Sequence, residues 1–183
     1  MATENGRKMQ KALDAVCRMH SEVSKLLIEF DKLAPWPSDS VFGNFATRDL
    51  TYNVRASYWM PEGVYRYLHS KTVPGLVEGL CACFVHPELE EPALVLGRIC
   101  YRDSSGDMRK IVDEWDLWYL YFKWNRDWAI GEPRVCSVPD DGRIKWATLV
   151  YTPLYTINSM EEVRALMEEV RSHSEPTSVA PAE

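Results

Sequence analysis

The sequence predicts an α+β fold, a single-layer, mostly antiparallel sheet packed against a long N-terminal helix and a C-terminal helix. Three observations carry this expectation. Long helical periodicity is confined to the two ends of the chain, residues 8–33 and 160–170. Between them lie apolar or alternating stretches of strand length, bounded by turn residues. Only a short helix interrupts those strands, which favours hairpins over alternating βαβ units.

The N-terminal helix is the clearest element. Met9, Ala12, Val16, Met19, Val23, Leu26, Phe30 and Leu33 recur at alternating steps of three and four, a heptad seam able to form a coiled-coil dimer. Leu13 and Leu27 at e positions and Ile28 at f widen the stripe, as suits a helix facing a globular core. Core packing is the expected role, and length keeps the dimer reading open. Residues 8–33 would span about 39 Å, against a radius of gyration near roughly 16 Å for a domain this size. Any overhang would bare apolar residues and invite a second subunit. Residues 1–7 are polar and expected to be flexible.

Pro35 and Pro37 stop that helix. Residues 50–58 then alternate strictly between apolar and polar, the cleanest strand pattern in the chain. Pro61 suits the first turn of a short helix carrying Val64, Tyr65 and Leu68. Residues 76–85 and 94–101 read as strands, the second apolar enough to be central. A turn at 103–107 suggests a hairpin into a strand at 108–112.

Residues 111–128 hold four of the seven tryptophans, two tyrosines and a phenylalanine, behind Asp113, Glu114 and Asp116. Aromatic richness favours a pleated, half-buried strand, although periodicity alone leaves a buried helix open. A turn at 140–142 leads into a strand over 144–157 that Pro153 must bend or push to an edge. Ser159 and Glu162 form a capping box ahead of Met160, Val163, Leu166, Met167 and Val170. Residues 172–183 are small and polar and expected to be flexible, leaving a single α+β domain over 8–171.

Composition narrows function mainly by exclusion. The net charge of -6 argues against a mainly electrostatic grip on nucleic acid. The first ten residues have no apolar signal core, and no run of 18 apolar residues could span a bilayer. Five cysteines without a tight spacing framework look like reduced thiols, so a cytoplasmic protein is expected. No phosphate-binding glycine loop, nucleophile elbow or HExxH motif is present. No cofactor is implied.

Cys81, Cys83 and His86 resemble half a metal site, but no second close Cys/His pair completes it, so structural cysteines and no metal are expected. Cys83 or Cys100 with His69 or His86 has no supporting spacing as a nucleophile and base. Asp113, Glu114 and Asp116 beside Trp115 and Trp118 form the one dense acidic cluster among aromatic residues. They read as a solvated hairpin end, or alternatively as an acid/base pair in a pocket. Arg98 sits in an otherwise apolar strand and needs a carboxylate, with Glu114 or Asp116 as the expected partner.

The leading reading is a non-catalytic module that binds a protein partner or self-associates, by the long helix and an aromatic sheet face. Trp115, Trp118, Tyr119, Tyr121 and Arg98 are its candidate binding residues. The alternative is a small hydrolase or ligand-binding enzyme using Glu114, Asp116 and Asp113, with a small-molecule ligand.

Overall fold

The computed structural model describes residues 4–42, 63–84, 89–103, 106–124, 131–137 and 142–173. The α+β architecture is as expected: an antiparallel sheet with the N- and C-terminal helices packed on it. Helix α1 (Glu4–Phe30) leads to β1 (Ser38–Phe42), β2 (Gly63–Ser70), β3 (Leu76–Cys83) and β4 (Ala93–Tyr101). Two short helices follow, α2 (Met108–Ile111) and α3 (Asp116–Trp124). Strands β5 (Arg134–Ser137) and β6 (Ile144–Pro153), a 3₁₀ turn (Leu154–Thr156) and α4 (Met160–Ser172) complete the chain. Among the described residues the sheet runs β1-β2-β3-β4-β6-β5, every neighbouring pair antiparallel.

The central strands are apolar on both sides because both faces are covered. On one face Leu80, Ala82, Leu94, Leu96 and Val150 meet Val23, Leu27 and Phe30 of α1 and Val163, Met167 and Val170 of α4. On the other, Val77, Cys81, Val95, Ile99 and Leu149 meet Leu117, Trp118, Leu120 and Tyr121 of α3. The second layer is made possible by two glycines. Gly79 and Gly97 are cross-strand partners, and Leu117 lies against both. A Cβ on Gly79 would come within 2.8 Å of Leu117 Cδ1, and one on Gly97 within 2.8 Å of Leu117 Cδ2.

Helix α4 starts as its capping residues dictate. Ser159 Oγ accepts the Glu162 N–H, and Glu162 Oε2 reaches back to the Asn158 N–H at 2.9 Å. Strand β6 ends at Pro153, paired to Ala93, so the proline terminates it and residues 154–157 leave the sheet.

Three local expectations are corrected. Residues after Pro61 form β2, not a short helix, because Val64 and Leu68 enter one core while Tyr65 and Tyr67 serve the other. That is a period of two on a strand used on both sides. Met108–Ile111 form α2 rather than a hairpin strand over 108–112, its N-terminus capped by Asp107 accepting the Arg109 N–H. Of the aromatic stretch, residues 125–128 lie outside the described residues, and Asp116–Trp124 form helix α3, not strand. Asp113 holds a turn ahead of it by accepting the Trp115 and Asp116 N–H groups, and Leu117, Trp118, Leu120 and Tyr121 then share the buried side. The alternating pattern over 50–58 and the 140–141 part of the last turn lie outside the described residues.

Candidate functional site

Asp116 lies at the start of α3, 2% exposed. It accepts hydrogen bonds from Tyr101 Oη at 2.6 Å, Asp113 N at 2.8 Å and Arg143 Nη2 at 2.8 Å. A buried carboxylate is tolerated because donors and a guanidinium surround it. Burial first, and then the Asp116 charge, push the Tyr101 phenol well above its ordinary range. Tyr101 therefore serves as a fixed donor at neutral pH.

Glu114 is reached from below by β2. Tyr65 Oη donates to its carboxylate, while Tyr67 Oη donates to its carbonyl at 3.1 Å and accepts the Leu117 N–H at 3.2 Å. Tyr67 is fully buried, and that burial is the main reason its phenol is pushed up. Asp113 is exposed and spends its side chain on the turn. In the strand expectation Glu114 and Asp116 shared a face. The helix start separates their roles instead, one held by Tyr65 and the other by Tyr101 and Arg143. Glu114 and Asp116 bind the start of α3 to the sheet, while Asp113 holds the turn ahead of it.

The aromatic side chains follow the same logic. Trp118 is 2% exposed and stacks on Phe122 at 5.4 Å, while Tyr121 stacks on Tyr151 at 4.8 Å. Trp115 is half-buried and Tyr119 is 47% exposed. The aromatic sheet face is thus corrected: Trp118, Tyr119, Tyr121 and Phe122 belong to a helix that covers the sheet, and Trp118 and Tyr121 lie inside.

Arg98 points to the opposite face, so neither Glu114 nor Asp116 is its partner. Alternating Cβ directions put it beside Glu78 on β3, its cross-strand neighbour. Glu78 is 1% exposed. It takes a bidentate pair from Arg171 of α4, at 2.8 Å from both Nε and Nη2. Arg98 Nε lies 3.4 Å from Glu78 Oε1, close enough for ion pairing but not aligned as a hydrogen bond. Trp36 packs over both guanidiniums, 5.2 Å from Arg98 and 5.9 Å from Arg171.

Cys81 and Cys83 are buried in the aromatic core, and burial, then the neighbouring Cys83, push the Cys81 thiol up, away from thiolate chemistry. No group of three or more His, Cys, Asp or Glu among the described residues is placed to hold a metal.

The open surface lies elsewhere. None of residues 4–18 of α1 is buried, with Met9 67% and Leu13 54% exposed. Contact with the body begins at Met19 and His20, whose ring meets Phe84 at 5.2 Å. Beside this junction runs an apolar groove of about 610 Å³, between Met19, Val23 and Leu26 and the segment carrying Leu154, Ile157 and Met160. Its rim carries Glu22, Lys25 and Glu29. Tyr155, also on the groove, is 69% exposed. Sequence reasoning found the helix but missed the far wall. The signal was present in Leu154, Tyr155 and Ile157, apolar residues continuing past a strand-ending proline.

No helix among the described residues is long and apolar enough to cross a membrane. Comparison with protein-family models, curated proteins and solved structures found no match to this chain.

Proposed function

We propose that this chain is a non-catalytic interaction module whose contact element is the N-terminal half of α1, engaging a protein partner, in the first instance another copy of itself. One observation carries the reading. The heptad series that is buried at Val23, Leu26 and Phe30 continues outward through a half-buried Val16 to exposed Ala12 and Met9. Fifteen residues of helix, about 22 Å, carry no buried side chain, and Met9, Ala12 and Leu13 on them are exposed. An isolated helix of that length is marginal alone, and burying its stripe against another helix is its ordinary source of stability.

The acidic cluster supports the non-catalytic side of the proposal. Asp116 is occupied by Tyr101, Arg143 and backbone, Asp113 by a turn and Glu114 by Tyr65.

Size-exclusion chromatography with light scattering tests the proposal. The wild-type chain should run as a dimer or larger, and Leu13→Glu with Val16→Glu should return it to a monomer of unchanged helicity. A wild-type chain that stays monomeric at millimolar concentration refutes it.

A further inference from the structure

We infer that the groove beside α1 seats the N-terminal half of α1 from a second copy, the two helices running antiparallel about a two-fold axis. This rests on the self-association proposed above and adds its orientation, register and seat.

The occupant follows from the heptad. Met9, Val16 and Val23 occupy a positions, and Ala12, Met19 and Leu26 occupy d positions. Antiparallel pairing of a with d sets Met9 against the second copy's Leu26, Ala12 against its Val23 and Val16 against its Met19. Those three opposing residues line the groove. Val23 and Leu26 turn one side to the core and keep the other along the groove wall. The same operation seats the second copy's overhang in the first copy's groove, so both apolar stripes are covered in a closed, isologous contact.

Charge agrees with this register. Residues 4–18 carry Arg7, Lys8, Lys11 and Arg18 against Glu4 and Asp14, a basic segment in an acidic chain. The groove rim holds Glu22 and Glu29 against Lys25, and the adjoining first turn of α4 adds Glu161 and Glu162. In the antiparallel register Lys8 faces the second copy's Glu29, twice by symmetry. Within one chain these residues make only exposed pairs, Lys8 with Glu4 and Glu29 with Lys32, which are readily exchanged. A parallel pair would leave Lys8 about 31 Å along the axis from Glu29 and the groove empty.

Charge reversal distinguishes these arrangements. Lys8→Glu alone and Glu29→Lys alone each turn two attractions into two repulsions, and should weaken the homodimer roughly tenfold or more by sedimentation equilibrium. An equimolar mixture of the two variants should recover wild-type affinity, because their heterodimer is complementary at both contacts. Tyr155→Glu, a substitution at an exposed groove position, should weaken the dimer while leaving the thermal unfolding of the monomer unchanged. A dimer that ignores both reversals, or a mixture no tighter than either variant alone, overturns the antiparallel seat and leaves self-association standing. A monomeric wild-type chain overturns both.

Discussion

Replacing Glu78 with glutamine removes a negative charge that lies between two guanidiniums and keeps the side-chain shape. The carboxylate is 1% exposed and receives two 2.8 Å hydrogen bonds from Arg171, with Arg98 Nε at 3.4 Å. Breaking a buried ion pair by neutralising one partner costs about 3–5 kcal/mol, because the opposite charge stays behind. Here the side chains of Arg98 and Arg171 are 12% and 18% exposed, so water reaches part of each. Arg171 also keeps its 2.8 Å bond to the Leu33 carbonyl. The lower end, about 3 kcal/mol, is therefore expected for Glu78→Gln. Against a total stability of about 5–15 kcal/mol, that is a large fraction. With a urea slope near 2 kcal/mol/M the unfolding midpoint should fall by about 1.5 M, and Tm by about 6–12 °C. Urea titration followed by circular dichroism measures this. The Glu78→Gln/Arg171→Gln double variant should lose less than the sum of the singles, by about 1–2 kcal/mol. A loss below about 1 kcal/mol for Glu78→Gln, or strict additivity, would mean that the charge cluster does not lock α4 to the sheet.

Three further outcomes are expected. Gly97→Ala would place a methyl 2.5 Å from Leu149 Cδ2, 2.8 Å from Leu117 Cδ2 and 2.9 Å from the Thr148 carbonyl, so a loss of about 1–3 kcal/mol in urea unfolding is predicted; an unchanged midpoint would disprove the close seat of α3. Asp116→Asn leaves Tyr101, Arg143 and the Asp113 N–H with a weaker acceptor and should cost about 1–3 kcal/mol, measured the same way. Tyr67 and Tyr101 have folded pKa values raised by burial above the ordinary phenol value. The unfolded chain ionises first, near pH 10, so stability should be full below about pH 10 and fall as pH rises past it. Tyr67→Phe should lessen that slope, and alkaline titration of phenolate absorbance with unfolding midpoints would reveal a slope that does not change.

Parts of the fold were legible because one physical signal dominated locally. The apolar runs over β3 and β4 read as central strands because helices cover both faces, and Ser159 with Glu162 announced α4 through backbone capping. The aromatic stretch misled because β-propensity measures how a ring fits a pleated surface, not the backbone that carries it. Trp118 and Tyr121 do pack on the sheet, but from a helix above it. The better clues were elsewhere. Asp107 caps α2, Asp113 holds the turn before α3, and Gly79 and Gly97 clear a space that only a close neighbour would need. Arg98 was legible as an anomaly, a charge in an apolar strand. Its partner was an equal anomaly in the next strand, Glu78, and alternation of side chains puts the two on one face.

The burial of α3 bears on the proposed interaction surface. A surface rich in tryptophan and tyrosine is a strong interface when open, but Trp118 and Tyr121 are committed to a layer beneath which Tyr65 and Tyr101 bind the Glu114 and Asp116 carboxylates and Tyr67 binds the Glu114 carbonyl. Using those rings for a partner would require lifting α3 and exposing Leu117 and Leu120, both fully buried. The stripe on α1 needs no such rearrangement. Met9 and Leu13 are already in water, and the chain derives no internal stability from leaving them there. Their burial against a second helix adds stabilisation of about 25 cal/mol per Å² covered without breaking a contact inside the fold. On these energetic grounds the proposed contact is assigned to the exposed stripe of α1 rather than to the aromatic layer.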